Sequence, residues 1–139
     1  MKEIDILREL EATGKYLFHG TATDNINLFE PRQAMSHGQK DGTPCVAASE
    51  YADPAIFMAI FSGRVSCGWD SNGSNFGFHL KKSDYDEVKT AGWSGFVYVF
   101  DRSEFKPYAV WEWRTTTRVS PMKKLSVTFA DLPSEIDLT

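Results

Sequence analysis

A short segment at the end of an apolar run places a histidine and a glycine where the chain leaves the protein core. His19 and Gly20 follow Leu17 and Phe18 and precede Thr21. Glycine lets a ligand approach the backbone closely because it has no Cβ. The N–H and C=O groups of such a backbone can bind a planar amide. The alternative is structural, with a histidine that closes a strand and a glycine that serves the turn after it.

The second candidate for chemistry is a glutamate between two tryptophans, in residues 111–113. The alternation of side chains along a strand allows two arrangements. In the first, Glu112 points to solvent while both indole rings face the core. In the second, its carboxyl group is enclosed among aromatic side chains, an environment suited to acid–base chemistry. Both arrangements are compatible with the pattern.

Other catalytic and metal-binding motifs are missing from the sequence. The histidines His19, His37 and His79 are isolated, and no HxxxH or CxxC pair accompanies them, so we expect no metal site. The two cysteines, Cys45 and Cys67, are too few for a disulfide framework, and we interpret them as buried and unreactive. The glycine patterns of P-loops and of Rossmann folds are also absent.

The composition indicates one folded domain over residues 1–139. The chain is 42% hydrophobic and contains 10 Phe, 5 Tyr and 4 Trp, enough apolar material for a core. Its formal charge of −4 disfavours non-specific binding of nucleic acid, although a local basic patch stays compatible with it. No stretch approaches the roughly 20 apolar residues of a membrane span, and the charged N-terminus does not resemble a signal peptide. We therefore expect a cytoplasmic protein without membrane contact.

Two helices are predicted in the first half of the chain. Aliphatic residues at a spacing of three predict an amphipathic helix that ends near Gly14. Asp53 as N-cap, Pro54 at the first helical position and Gly63 as a stop signal predict a buried helix over residues 53–62.

Short strands make up most of the remainder. Polar, glycine-containing segments at residues 22–43 and 63–74 are predicted loops, the first with one short helical turn. Few helices and several short strands favour an α+β fold over a doubly wound α/β sheet. The predicted strands cover residues 16–18, 45–48, 76–80, 96–100, 110–113 and 126–129.

Three segments, in this order, resemble the NAD-binding motifs of the ADP-ribosyltransferase superfamily, in particular its poly(ADP-ribose) polymerase and RNA 2′-phosphotransferase branches. Residues 16–21 resemble the first motif, a strand that runs into His-Gly-Thr. Residues 46–49 and the helical residues 55–57 resemble the second. Residues 110–113, followed by 119–121, resemble the third, a strand that carries the catalytic glutamate.

The resemblance implies a split β-sandwich of two small sheets with a few flanking helices. The N-terminal helix, residues 1–14, would pack on a core of residues 15–130. NAD would bind in a cleft between the sheets, and ADP-ribose would pass to a protein or nucleic-acid acceptor. Such a transfer needs a held ribose, a clamped nicotinamide and negative charge beside an oxocarbenium-like transition state, and it needs no metal.

The resemblance also implies two catalytic residues, His19 and Glu112. His19 would bind the nicotinamide ribose, and Gly20 would bind the carboxamide through its backbone. Phe57 would stack on the nicotinamide ring, and Arg32 would meet the diphosphate. Glu112 would bind the ribose 2′-hydroxyl and orient or deprotonate the acceptor. The implied cofactor-binding residues are His19, Gly20, Thr21, Arg32, Ser49 and Phe57.

Two positions depart from the family pattern. The family triad is often His-Tyr-Glu, and the tyrosine is missing near Ala47, where it is expected. Phe57 stands in place of a stacking tyrosine and lacks its hydroxyl. Three functions therefore stay open: an ADP-ribosyltransferase, an inactive module of the same fold that binds NAD, ADP-ribose or a protein, and an interaction domain in which the match is coincidental.

Overall fold

The computed structural model describes residues 1–36, 38–72 and 75–139. The isolated His37 and the last two residues of the predicted loop 63–74 lie outside these ranges. The helices are α1 (Glu3–Thr13), α2 (Ala52–Phe61) and α3 (Lys82–Ala91). The strands are β1 (Tyr16–Thr21), β2 (Met35–Ser36), β3 (Gln39–Lys40), β4 (Val46–Ser49), β5 (Cys67–Asn72), β6 (Asn75–Leu80), β7 (Gly95–Asp101), β8 (Lys106–Pro107), β9 (Glu112–Thr115), β10 (Lys123–Val127) and β11 (Ile136–Leu138).

Within residues 1–36, 38–72 and 75–139, the strands form two sheets and a small ribbon. The main sheet has the order β10-β7-β1-β4-β9-β8, and every neighbouring pair in it is antiparallel. The second sheet has the order β11-β6-β5, with β5 antiparallel and β11 parallel to β6. Strands β2 and β3 pair with each other. The predicted α+β class is confirmed.

Helix α2 is the centre of the core and lies directly against β1 and β7. Eight of its ten residues are buried. Two glycines permit this close approach. A Cβ on Gly20 would lie 1.7 Å from the carbonyl oxygen of Ala55, and a Cβ on Gly95 would lie 2.1 Å from that of Ala59. The backbones of helix and sheet are therefore in direct contact.

The start of α2 differs from the prediction of a helix over residues 53–62. The helix begins at Ala52, so Asp53 is in its first turn rather than at the N-cap. The free N–H of Ala52 is bound by the carboxylate of Glu11, at 2.6 Å, and Asp53 pairs with Arg8 at 2.5 Å. Both partners come from α1. A tertiary contact with α1 therefore binds the free N–H at the start of α2, for which the sequence predicted a local N-cap.

Helix α1 agrees with the prediction of an N-terminal helix. It ends at Gly14, which has the left-handed conformation (φ +68°) expected of a C-terminal glycine. The helix packs on β1 and β10 and buries Leu7 completely. Within the described ranges, no helix is long and apolar enough to cross a bilayer.

The predictions for two polar segments were wrong, and one helix was not predicted. Strand β5 occupies half of the predicted loop 63–74, and the ribbon of β2 and β3 lies in the segment 22–43, where we expected a loop with one helical turn. Strand β5 is rich in small polar residues, and its pairing with β6 holds it extended. Helix α3 was not predicted, because Tyr85 and Val88 alone give its inner face an apolar pattern.

Candidate functional site

A cleft of about 630 Å³ opens between the two sheets. Strands β1, β2, β4, β5, β6 and β9 and helix α2 supply most of its walls. The cleft forms where β1 and β4 of the main sheet separate. Within the described ranges, β1 and β4 share one register pair, Phe18↔Ser49, whereas β1 continues to pair with β7 as far as Thr21↔Phe96. The polar residues at the cleft, among those described, are His19, Ser36, Asp41, Ser49, Asp70, His79, Glu112 and Arg114.

The cleft brings together His19 and Glu112, which are 93 positions apart in the sequence (112 − 19). Phe18 pairs with Ser49, and Ser49 pairs with Glu112, so these three side chains share one face of the sheet. His19, the next residue after Phe18, points to the other face, where its ring meets Phe29 edge-on at 5.1 Å. A ligand that touches both His19 and Glu112 must therefore extend through the gap between β1 and β4.

The imidazole of His19 is held in one tautomer. Its Nδ1 lies 2.8 Å from the carbonyl oxygen of Ala47, and because a carbonyl only accepts, Nδ1 carries the hydrogen. Burial lowers the pKa of His19 below its usual 6.5; the bond to Ala47 opposes this shift, and the charge of Arg32 adds to it. The ring is neutral at pH 7. Its Nε2 is consequently a hydrogen-bond acceptor, suited to a hydroxyl group.

The lowered pKa of His19 predicts a loss of stability in mild acid. Below pH 6.5 the unfolded chain binds a proton on this histidine that the folded protein excludes, so the free energy of unfolding falls as the pH falls through this window. Urea unfolding at about pH 7.5 and about pH 5.5 measures the effect, since the two values bracket the usual histidine pKa. We expect His19→Asn, whose amide can still donate to Ala47, to lose less stability than the wild type.

The matched control is His79→Asn, because His79 also borders the cleft but its side chain is half exposed. If the wild type and His19→Asn lose the same amount of stability between the two pH values, His19 does not resist protonation in the folded protein.

The carboxylate of Glu112 faces the cleft and is mostly enclosed, with 14% of the side chain exposed. It accepts a hydrogen bond from Nε of Arg114 at 2.5 Å. Trp113 projects to the opposite face, under the guanidinium of Arg102, whereas Trp111 borders the cleft. The arrangement with Glu112 in solvent and both tryptophans in the core is therefore wrong.

Sequence reasoning missed the partners of Glu112. Arg114 also donates to Asp41, at 2.8 Å to its carbonyl oxygen and at 3.0 Å to Oδ2. Burial lowers the pKa of Arg114, but the hydrogen bond and charge of Glu112 and the hydrogen bond to Asp41 outweigh burial and raise it. The hydroxyl of Tyr108, followed by Arg114, lowers the pKa of Asp41. The guanidinium of Arg114 thus lies between the carboxyl groups of Glu112 and Asp41. We call Asp41, Tyr108, Glu112 and Arg114 the arginine cluster.

Two further predicted site residues border the cleft, and both already have structural roles. The α-carbon of Gly20 lies against α2, which explains the glycine without a ligand. The hydroxyl of Ser49 donates to the carbonyl oxygen of Tyr51 at 2.7 Å and accepts from its N–H at 3.0 Å. Ser49 therefore shapes the turn into α2.

Thr21 and Arg32 lie outside the lining formed by the described residues. Thr21 ends β1, and its hydroxyl accepts a hydrogen bond from the N–H of Thr23 at 3.2 Å. Arg32 is exposed and pairs through its backbone with Cys45. The positive charge of its guanidinium contributes to the lowered pKa of His19.

Phe57 does not reach the cleft. It is completely buried and packs on Phe61 and Phe78, with ring centroids 5.0 Å and 4.8 Å away. A ring with no exposed face cannot stack on a ligand, so we remove Phe57 from the candidate site. Trp69 and Trp111 supply aromatic surface there instead and meet edge-on at 5.3 Å.

The thiols and potential metal ligands do not form a reactive centre in the part of the chain that the structure describes. No group of three or more His, Cys, Asp or Glu side chains there could hold a metal ion. Cys67 borders the cleft, but burial raises the pKa of its thiol. Burial also raises the pKa of Cys45. Both thiols are therefore poor nucleophiles at neutral pH.

Comparisons of the chain with models of known protein families, with curated proteins and with solved structures found no match. Any function proposed for this chain therefore depends on the residues of the cleft and on their geometry.

Proposed function

We propose that this protein binds NAD in the cleft and transfers ADP-ribose from it to a protein or nucleic-acid acceptor, or to water when no acceptor is present. The observation that carries the proposal is that His19 and Glu112 border one cleft. These are the two residues to which the family resemblance gives catalytic roles. They reach the cleft from separate strands of the split sheet.

The geometry of His19 suits a ribose hydroxyl. Its Nδ1–H is used by the carbonyl of Ala47, which leaves Nε2 to accept a hydrogen bond. The transfer also requires negative charge close to a sugar carbon that becomes positive in the transition state, and the carboxyl group of Glu112 suits this requirement. Its side chain forms an ion pair with Arg114 at 2.5 Å. The two residues thus divide ribose binding and charge stabilisation between them.

The size and aromatic surface of the cleft suit the nicotinamide end of NAD. Small-molecule sites typically enclose about 300–1,000 Å³, and this cleft lies within that range at about 630 Å³. Trp69 and Trp111 offer apolar faces to a planar ring. Arg32, whose charge contributes to the lowered pKa of His19, is the positive group that we assign to the diphosphate.

A second candidate function is an inactive module of the same kind, which binds NAD or ADP-ribose without cleaving it. One observation favours it. The Glu112 carboxylate is already engaged by Arg114, at 2.5 Å, and an acceptor or ribose hydroxyl must share it. The missing triad tyrosine points in the same direction.

Incubation with NAD labelled in the nicotinamide ring distinguishes the two candidates. The transferase is expected to release labelled nicotinamide, and NAD is expected to raise the melting temperature of the protein. Ligand at 100 times its Kd contributes about 2.7 kcal/mol to the free energy of unfolding, which a thermal shift detects easily. Stabilisation without release favours the inactive module. Neither stabilisation nor release, at high protein concentration and with candidate acceptors, would overturn both.

A further inference from the structure

The arginine cluster forms a closed ring of contacts around Glu112. Arg114 binds the carboxylate of Glu112 and both the carbonyl and the carboxylate of Asp41. The hydroxyl of Tyr108 donates to Oδ1 of Asp41 at 2.5 Å, and the N–H of Tyr108 donates to the carbonyl oxygen of Glu112 at 2.9 Å. This closed series of contacts therefore begins at the side chain of Glu112 and returns to the backbone of the same residue.

The guanidinium of Arg114 is confined from several directions. Only 9% of its side chain is exposed, and its centre lies 3.5 Å from the ring centroid of Tyr108. Stacking on an aromatic ring and two-sided binding of carboxylates require the planar fork of arginine, which lysine lacks. A group held in this way has one orientation, and that orientation determines where Glu112 points.

The contacts leave half of the Glu112 carboxylate available. Among the described residues, the side-chain hydrogen bond to this group goes to Oε2, so Oε1 is the oxygen offered to a substrate. Arg114 lies two positions after Glu112 on β9, and alternation puts both side chains on the same face. The arginine also joins β9 to Asp41, which borders the cleft from the segment before β4.

We infer that Arg114 is a positioning residue, which holds the carboxylate of Glu112 in its catalytic orientation. This inference rests on the proposed function, because it takes Glu112 as the group that meets the substrate. Arg114 itself needs no contact with NAD. Its removal should therefore lower kcat and leave the KM for NAD nearly unchanged.

Turnover by Arg114→Met and Arg114→Lys tests the kinetic part. We expect kcat to fall on the order of 100-fold in Arg114→Met, the size of effect that misplacement of a catalytic group by about 1 Å produces. Arg114→Lys keeps the charge but not the fork, so its kcat should be intermediate. Guanidinium ion at a non-denaturing concentration should restore part of the kcat of Arg114→Ala, which a purely structural role of Arg114 does not predict.

The matched control is Arg102→Met. Arg102 also stacks on an aromatic ring, that of Trp113 at 4.8 Å, and pairs with a glutamate, Glu50, at 3.8 Å, but it lies outside the lining formed by the described residues. It should retain full kcat. An unchanged kcat in Arg114→Met, or a loss in Arg102→Met of the same size, would overturn the inference.

Crystal structures of the wild type and Arg114→Met separate this inference from the proposed function. We expect the Glu112 carboxylate to leave its position in the variant, whether or not the protein turns NAD over. A wild type without nicotinamide release would refute the proposed function, while a displaced Glu112 would still support positioning by Arg114. A Glu112 side chain that stays in place without Arg114 would overturn the inference by itself.

Discussion

Nicotinamide release is expected to disappear when Glu112 is replaced by glutamine, while NAD binding persists. Glutamine has nearly the same shape, and its amide oxygen can still accept a hydrogen bond from Arg114, so the cleft should keep its form. It lacks the negative charge that opposes the developing cation on the ribose. Removal of one such electrostatic group typically costs about 100- to 1,000-fold in kcat. Labelled-nicotinamide release measures turnover, and the thermal shift with NAD measures binding.

The best control for this variant is Glu50→Gln. Glu50 is a carboxylate paired with an arginine, as Glu112 is, but it lies away from the lining that the described residues give the cleft. It should turn NAD over at the wild-type rate. A fully active Glu112→Gln protein would remove Glu112 from the mechanism. Loss of both turnover and the thermal shift would instead make Glu112 a binding residue.

Elements with strong local patterns could be predicted from the sequence. Helix α1 ends at Gly14 as expected, and β6 and β7 follow their aromatic alternation. The end of a helix depends less on the local sequence. Asp53 has the chemistry of an N-cap, yet Glu11 of α1 binds the first N–H of α2. A residue 41 positions away, 52 − 11, leaves no mark in the local pattern.

The residues of the candidate site could likewise be predicted only where they belong to a local sequence pattern. His19 and Glu112 stand in recognisable motifs, and both border the cleft. Arg114 could have been found, because a residue two positions after Glu112 on a strand shares its face and here carries the opposite charge. Asp41 could not, because it lies in a polar segment without periodicity. Phe57 was misplaced since an apolar helix gives no sign of which face meets a ligand.

Replacement of Gly20 or Gly95 by alanine is expected to destabilise the protein severely. The new methyl group of Gly20→Ala would lie 1.7 Å from the carbonyl oxygen of Ala55, and that of Gly95→Ala 2.1 Å from the carbonyl oxygen of Ala59. Both obstacles are helix backbone, so α2 must move away from the sheet. Overpacking typically costs about 1–3 kcal/mol, and we expect at least the upper value. Urea unfolding followed by circular dichroism measures the loss.

Gly77→Ala is the matched control, because Gly77 also lies in a strand, β6, and its nearest obstacle is a carbonyl oxygen at 4.0 Å. It should unfold like the wild type. The comparison of Gly20 with Gly95 distinguishes a packing role from a ligand-binding role, since Gly95 lies outside the cleft lining of the described residues. If both variants lose similar stability, contact with α2 is sufficient to explain the glycine of the His-Gly-Thr motif. A stable Gly20→Ala protein that no longer binds NAD would show instead that the glycine is there for the ligand.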